Sequence, residues 1–567
     1  MTGRRGGISF FVTLLALASL LVSACSQQTP TADQTATPGV AQGQPDLNAE
    51  VLLNAGGEPD TIDPQKASFV NEIAQAAFVF EGLMTFDATT TKPVPAAAAK
   101  MPEVSADGLK YKYTLRDGLK YSDGSRLTAK NFEYAFLRGC DPTQSGDYAF
   151  VLYIVVGCEA WNNMDPRKVS PAELAAAKAK VAIKATSDLE IEFTLTSPAP
   201  FFVPITALWI GWPVRESDVK KGGDKWTEPA TYIGNGPFKL TEWKHNEKLV
   251  FERNDNYRKK IQFRKITKLM INESSVALAA YRNNELDLVG VAATDLRTVN
   301  ADPELKSQLI DVAGSCTTYY GFNVRRPPFD DPNIRLAFAK SFDRVAFVKD
   351  VQQGIGKPAD GGFIPLGFPG YDNTDKEQLY DPAAAKALLD KASPASKAGL
   401  TGLKYTFASS SNAKTRAEWA QNQWRTNLGV TVELDPVQST AYSALFKKGQ
   451  EAPQLFSLGW CADFPDQQNW HSTVWLTGGL SAGRTGYSSK AFDDLARQAD
   501  KESDPAKRDA LYNQAGKQLS KDAPAAWVDY DAGKRIQKPW LKGITDNPMD
   551  YGIPGYFAME KIFVVKH

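Results

Sequence analysis

Three histidines serve the whole chain of 567 residues: His245, His471 and His567. Hydrolysis by a Ser-His-acid set needs an imidazole within hydrogen-bond reach of the nucleophile, which leaves His245 or His471. His245 sits in Trp243-Lys244-His245-Asn246-Glu247, a polar stretch that reads as a hairpin tip. His471 sits in Gln468-Asn469-Trp470-His471-Ser472, just after a denser motif at 459–463. A metal centre built from several imidazoles is excluded by this count. The chain has no HExxH, no phosphate-cradling GxxxxGK[ST] loop and no GxGxxG after a strand. No CxxC occurs, so redox and zinc-ribbon chemistry lack their ligands. The 65 acidic side chains could supply a glycosidase pair, but nothing singles one out. These residues point to a binding protein rather than an enzyme, with no metal and no cofactor.

Whatever binds must be held by elements that alternate along the chain. Residues 51–55, VLLNA, read as a short strand. Tyr111 to Leu115 alternates, and Asp117-Gly118 supplies a hairpin turn after it. Thr128 predicts an N-cap for a helix over 129–137. Residues 171–182 read as an amphipathic helix and Leu189 to Leu195 as a half-solvated strand. Phe238 to Trp243 and Lys248 to Glu252 read as strands paired across a polar turn. Ala277 to Asn284 is helical in pattern, and Leu286 to Val291 is strand-like. The spacing predicts further helices over 334–349, 382–391, 413–427, 490–501 and 504–521, with strands at 430–434 and 455–460. Strands and helices alternate without a fixed repeat, so an α/β protein with mixed sheets and more than one lobe is expected.

The N-terminus carries an export signal. Arg4 and Arg5 precede an uncharged run from Ile8 to Ala24, short for a membrane span of about 20 residues. The run ends Leu21-Val22-Ser23-Ala24-Cys25, which resembles a bacterial lipobox, in which the cysteine is lipidated and becomes the new N-terminus. Residues 1–24 therefore read as a lipoprotein signal peptide and Cys25 as the lipidation site. Residues 26–46 hold no large apolar side chain except Val40 and read as a disordered tether. With 65 basic and 65 acidic residues, the chain has no global field to draw nucleic acid. Four cysteines follow the tether, which suggests two disulfides among three possible pairings. Proximity favours Cys140–Cys158, and elimination then leaves Cys316–Cys461.

Several stretches, in order, resemble one family. They are Glu58-Pro-Asp-Thr-Ile-Asp-Pro64, Phe80-Glu-Gly-Leu83, Asp107-Gly-Leu-Lys-Tyr-Lys-Tyr-Thr-Leu-Arg-Asp-Gly118 and Tyr121-Ser-Asp-Gly-Ser-Arg-Leu-Thr-Ala129. Asn235-Gly-Pro-Phe-Lys-Leu240, Glu252-Arg-Asn-Asp-Asn-Tyr257, Asn284-Glu-Leu-Asp287 and Pro328-Phe-Asp-Asp331 come next. Ile334-Arg-Leu-Ala-Phe-Ala-Lys-Ser-Phe-Asp-Arg344, Gly459-Trp-Cys-Ala-Asp463 and the ending from Lys538-Pro-Trp540 complete the set. Together they resemble the oligopeptide-binding proteins of bacterial ABC importers, within the peptide- and nickel-binding family 5 of extracellular solute-binding proteins.

The resemblance implies a three-domain α/β fold of the periplasmic-binding-protein kind (class II, cluster C), with two jaws around an enclosed cleft. Domain I would comprise 47–80, 210–315 and 532–567; domain II, 81–209; domain III, 316–531. It implies a Cys316–Cys461 disulfide, whereas Cys140–Cys158 rests on spacing alone. It implies that Asp463 pairs with a peptide's α-amino group and that the main chains of Gly459 and Cys461 pair with its backbone. Trp460 would line the site, and Tyr319, in Cys316-Thr-Thr-Tyr-Tyr320, would face it. Ser457, Ser68 and Ala413 replace residues with which this branch often contacts ligand, and Lys447 and Lys448 are candidates for the peptide carboxylate. The implied partners are a peptide, ABC permease subunits and the membrane through a lipid anchor; the protein acts as a monomer outside the cytoplasm. A peptide-sensing or adhesion lipoprotein of the same fold is the alternative.

Overall fold

The computed structural model describes residues 43–447, 450–502, 504–550 and 554–567. The signal peptide, Cys25 and most of the tether lie outside the described residues, as does Lys448.

One 11-stranded sheet carries the molecule. In chain order its strands are β1 (Glu50–Asn54), β2 (Phe238–Lys244), β3 (Lys248–Arg253), β4 (Lys265–Leu269), β5 (Leu288–Gly290), β6 (Leu309–Phe322), β7 (Lys357–Pro358), β8 (Lys404–Ala408), β9 (Glu433–Val437), β10 (Leu455–Cys461) and β11 (Ala525–Gln537). Their spatial order is β9-β8-β10-β6-β11-β5-β1-β4-β3-β2, with β7 paired to β11. The expected β2–β3 hairpin forms, antiparallel from Phe238↔Arg253 to Lys244↔Lys248. Asn246 at its tip takes the left-handed conformation that a tight turn favours (φ 61°). At the centre lie the two longest strands, β6 and β11, which pair antiparallel from Leu309↔Ile536 to Gly321↔Ala525. Neither was expected from pattern. β6 mixes Gly, Ser, Thr and Asp with apolar residues, β11 mixes Asp, Gly, Lys and Arg with them, and β6 is bulged twice, between Ala313 and Thr317 and between Thr318 and Tyr319. A bulge resets the two-residue alternation by which strands are recognised.

A separate four-stranded sheet joins Glu103–Val104, Lys110–Thr114, Glu190–Thr194 and Ile183–Ala185. Asp117-Gly118 makes a turn, with Gly118 at φ 74°, yet the strand before it pairs with Glu103–Val104 and Glu190–Thr194 rather than with a strand just after that turn. Helix α1 (Ala129–Cys140) starts where Thr128 predicts, its first turn closed by Asn131 Oδ1 accepting from the Thr128 amide at 2.9 Å. It buries Phe132 and Phe136, the latter edge-on to Phe193 at 4.9 Å. Arg138 on the same helix meets Asp63 in a buried bidentate pair, both bonds 2.6 Å. Gln65 Oε1 accepts from the guanidinium at 2.7 Å, and Trp226 Nε1 donates to Asp63 at 2.9 Å, so the pair is fully satisfied.

Helix α2 (Pro332–Lys340) is shorter than the pattern over 334–349 predicts. The Asp343 side chain caps a new turn, accepting from the Ala346 amide at 2.9 Å. Buried Arg344 donates to the carbonyls of Ala339 and Phe342 that the break exposes, at 3.1 and 3.2 Å. β9 begins three residues later than 430–434 predicts, because Gly429 ends the preceding helix in the left-handed region (φ 73°) and pairing with β8 starts at Glu433↔Lys404. Two disulfides are present, Cys140–Cys158 and Cys316–Cys461. The second links directly opposed residues of β6 and β10. Among the described residues, no helix is long and apolar enough to cross a membrane.

Candidate functional site

β10 supplies an open strand edge. On one side it pairs with β6 along its whole length, from Leu455↔Phe322 to Cys461↔Cys316. On the other it pairs with β8 only at Leu455 and Phe456. The Ala462 amide donates to Ser315 of β6 at 2.9 Å, and the Gln454 carbonyl accepts from Asn323 at 2.9 Å. Even-numbered main-chain groups thus turn to β6, and alternation turns those of Ser457, Gly459 and Cys461 the other way. The Ser457 carbonyl accepts from the Tyr442 hydroxyl; Gly459 and Cys461 have no strand on that side among the described residues. Gly459 is exposed, and its missing side chain keeps the edge accessible.

Asp463 closes the motif. It is 7 % exposed. Its Oδ2 accepts from Asn469 Nδ2 at 3.0 Å and its Oδ1 from the Tyr148 hydroxyl at 3.4 Å. Asn469 Oδ1 in turn accepts from the Asp463 amide at 3.0 Å and from Trp460 Nε1 at 3.3 Å. The Tyr148 and Trp460 rings lie nearly parallel, 6.4 Å apart. Among the described residues Asp463 makes no ion pair. Burial pushes its carboxyl up to about 7, against the pull of its bonds from Asn469 and Tyr148. A fixed, dry carboxylate without a countercharge is a ready partner for an ammonium group.

Gly459, Trp460, Cys461 and Asp463 all line one cavity of about 520 Å³. Phe69, Tyr148, Trp209, the bulged stretch 312–316 of β6, Asp531 and Asp550 form other walls. Its size and its apolar surface around a few placed polar groups are those of a ligand pocket. Leu480 and Arg484 belong both to this cavity and to a larger neighbour of about 890 Å³.

Tyr319 does not line either cavity. It is fully buried, edge-on to Phe363 and Trp475 at 6.1 and 5.8 Å, with its hydroxyl 2.9 Å from Ser481 Oγ. Lys447 lies 3.6 Å from Asp60 and over the Phe69 ring, on the wall of the larger cavity. No GxSxG elbow is expected from the motifs, yet the run Gly479-Leu480-Ser481-Ala482-Gly483 has that spacing. It forms a short helix, α3 (Leu480–Thr485), rather than a strand-to-helix elbow, and Ser481 is fully buried against Tyr319. His471 is buried and stacked on Tyr512 at 5.5 Å, and burial lowers it to about 3. His245, at the β2–β3 tip, bonds to Glu58 at 2.7 Å and Glu228 at 3.1 Å, which raise its pKa. Neither histidine lines either of these two cavities. Tyr148, Asn469 and Arg484 are site residues that the sequence did not announce. Tyr148 falls inside the Cys140–Cys158 loop, and Asn469 lies six residues past Asp463 with no motif of its own.

Residues 92–482 match the family described as bacterial extracellular solute-binding proteins, family 5 Middle. The chain belongs to that family. It is 31% identical to the oligopeptide-binding protein OppA of Bacillus subtilis (strain 168), across 94% of this chain and 96% of that one. With the periplasmic oligopeptide-binding protein OppA of Escherichia coli (strain K12) identity is 29%, over 91% and 93%. Among solved structures, the murein tripeptide binding protein MppA of Escherichia coli superposes with a TM-score of 0.80 at 28% identity, covering 92% of this chain and all of the other. Haemophilus influenzae OppA in complex with RPPGFSPFR also gives 0.80, at 25% identity, covering 92% of this chain and 100% of that one. The fold is therefore that of the periplasmic binding proteins, and the family and its solved neighbours are binding proteins.

Proposed function

We propose that this protein captures peptides outside the cytoplasm and delivers them to the permease of an ABC importer, without catalysing a reaction. The observation that carries this reading is a single cavity holding both a free strand edge, at Gly459 and Cys461, and a buried, uncompensated carboxylate at Asp463. The first suits a peptide backbone and the second its ammonium end, so recognition needs no particular side chain. The names of the relatives, oligopeptide- and dipeptide-binding proteins among them, support the same reading.

The three-domain division supplies the jaws: 47–80 with 210–315 and 532–567 facing 316–531, and 81–209 packed beside them. The small sheet within 103–194 and the two halves of the large sheet on either side of β6 and β11 support these boundaries. Tyr148 touching Asp463, and Lys447 touching Asp60, are contacts that hinge opening has to break. Cys25 carries the lipid anchor, and the protein works as a monomer at the membrane face. Mass spectrometry of ligand released from natively purified protein tests the function. Peptides of mixed sequence are expected; a sugar, a metal chelate or a bile acid as the sole ligand overturns it.

A further inference from the structure

Arg484 is the one cation among the described residues that line the Asp463 cavity. It stands near the end of α3, with its side chain at the boundary with the larger cavity. Among the described residues it makes no ion pair, and its buried Nε has no hydrogen-bond partner. Arginines that serve the fold are met by acceptors: Arg138 by the Asp63 carboxylate, Arg335 by the Asp522 and Phe329 carbonyls, and Arg344 by the Trp527 carbonyl. The neighbours of Arg484 hold it in place without neutralising it. Its guanidinium reaches the Tyr319 hydroxyl, which Ser481 also bonds, and lies 5.9 Å from the Phe446 ring. Arg325 donates to the carbonyls of Gly483 and Arg484 at 2.6 and 3.3 Å, fixing the backbone from which the side chain projects.

A half-buried guanidinium with an unpartnered Nε has a donor edge open to an anion, and its planar fork matches a carboxylate. Asp463 accepts from the Tyr148 hydroxyl and the Arg484 charge also acts on that phenol, so two opposite charges share one cavity. Of the other aspartates that share the cavity, Asp546 pairs with Arg535 and Asp550 accepts the amides of Asn547 and Gly555 on its Oδ2, while neither Asp550 nor Asp531 forms an ion pair with Arg484. Resting on the peptide reading above, we propose that Arg484 receives a carboxylate of the bound peptide, and that Asp463 and Arg484 together select a ligand bearing opposite charges. The carboxylate is the peptide's C-terminus or an acidic side chain, and the two sources are separable.

The test uses the full mature protein, stripped of ligand, and random peptide libraries of two to five residues made as free acids and as C-terminal amides. Native mass spectrometry reads which are retained by wild type and by Arg484→Gln. Wild type is expected to hold free acids about ten- to a hundredfold better than amides lacking Asp or Glu, from the strength of a charge-assisted bidentate contact. Amides retained only when they carry Asp or Glu assign the contact to a side chain as well as the terminus. Arg484→Gln is expected to lose the preference for carboxylate while keeping the wild-type preference for free over N-acetylated ends, which shows that the Asp463 end is intact. Acids and amides held alike by wild type, or an equal acid preference in Arg484→Gln, overturn the role of Arg484 alone. A wild type that retains neither library overturns the peptide reading, and this inference with it.

Discussion

An ammonium group can pair with Asp463 only in its carboxylate form, and burial holds that carboxyl at about 7 in the empty site. Binding must therefore displace a proton whenever the solution is more acidic than that. At pH 7 half the sites are ready, a twofold loss, and at pH 5 about one site in a hundred is, a penalty of roughly 2.7 kcal/mol. Affinity for a free-amino peptide should fall about tenfold per pH unit below 7 and level off above it. It should decline again past pH 8, as the peptide's own amine, with a pKa near 7.7–8.0, loses its charge. Asp531 and Asp550 line the same cavity and are also raised by burial, to about 6 and about 7. The slope is therefore assigned by difference. Asp463→Asn, close in shape, should bind roughly 2–5 kcal/mol more weakly at pH 8 and show little acid limb. Titration calorimetry from pH 5 to 9, in two buffers of different ionisation enthalpy, reads affinity and proton release together. Wild type should release about a third to two-fifths of a proton per peptide at pH 7, the half from Asp463 less the share taken up by the peptide's amine, and an N-acetylated peptide should release far less. A flat wild-type profile, or the same acid slope in Asp463→Asn, refutes the assignment.

Three further outcomes are expected. Fatty-acid labelling in cells should tag the wild type, and Cys25→Ala should lose both label and signal cleavage; a labelled variant rejects the lipid anchor. Asp63→Ala strands the buried Arg138 guanidinium and should cost about 3–5 kcal/mol in denaturant unfolding, whereas replacing both partners by apolar residues should cost much less. Lys268 on β4 is buried over the Phe78 ring at 5.3 Å, and burial lowers it from 10.5 to about 7. The unfolded chain then binds more protons between those values, so stability should rise with pH across that window. Lys268→Met should remove that rise, with its gain over wild type largest below pH 7 and gone by pH 10.5; a constant gain at every pH counts against the buried-lysine argument.

The local elements were legible because their signals are local. Thr128 caps α1, Asn246 turns the β2–β3 hairpin, and Leu455–Cys461 shows enough apolar character to read as a strand. The motif ending at Asp463 was legible through family resemblance, and the structure brings Gly459, Trp460, Cys461 and Asp463 onto one wall. What escaped has a common cause, since it depends on what lies across space. Tyr319 sits on the β6 stretch that pairs with β10, yet its ring is enclosed by Phe363, Trp475 and Trp527, and a bulge decides which way it points. Tyr148 reaches Asp463 across 315 positions of sequence. The helix over 334–349 breaks because Arg344 finds the Trp527 carbonyl at 2.6 Å on β11, a partner that no window around residue 344 contains.

The pairing of β6 with β11 has a mechanical meaning. Both strands continue from the half of the sheet holding β5 and β1 into the half holding β10 and β8, so the halves are joined by a two-ply strap rather than by loose tethers. A hydrogen-bonded strap resists shear and twist along its length and flexes where its ladder is interrupted. The wider of its two interruptions falls between Ala313 and Thr317, where Gly314 lies so close to Asp531 that an added Cβ would stand 2.5 Å from the Asp531 carbonyl oxygen. Gly314, Ser315 and Asp531 are also walls of the cavity. The fulcrum of the clamp is thus part of its lining, and an occupant presses on the pivot itself rather than only on the tips of the arms.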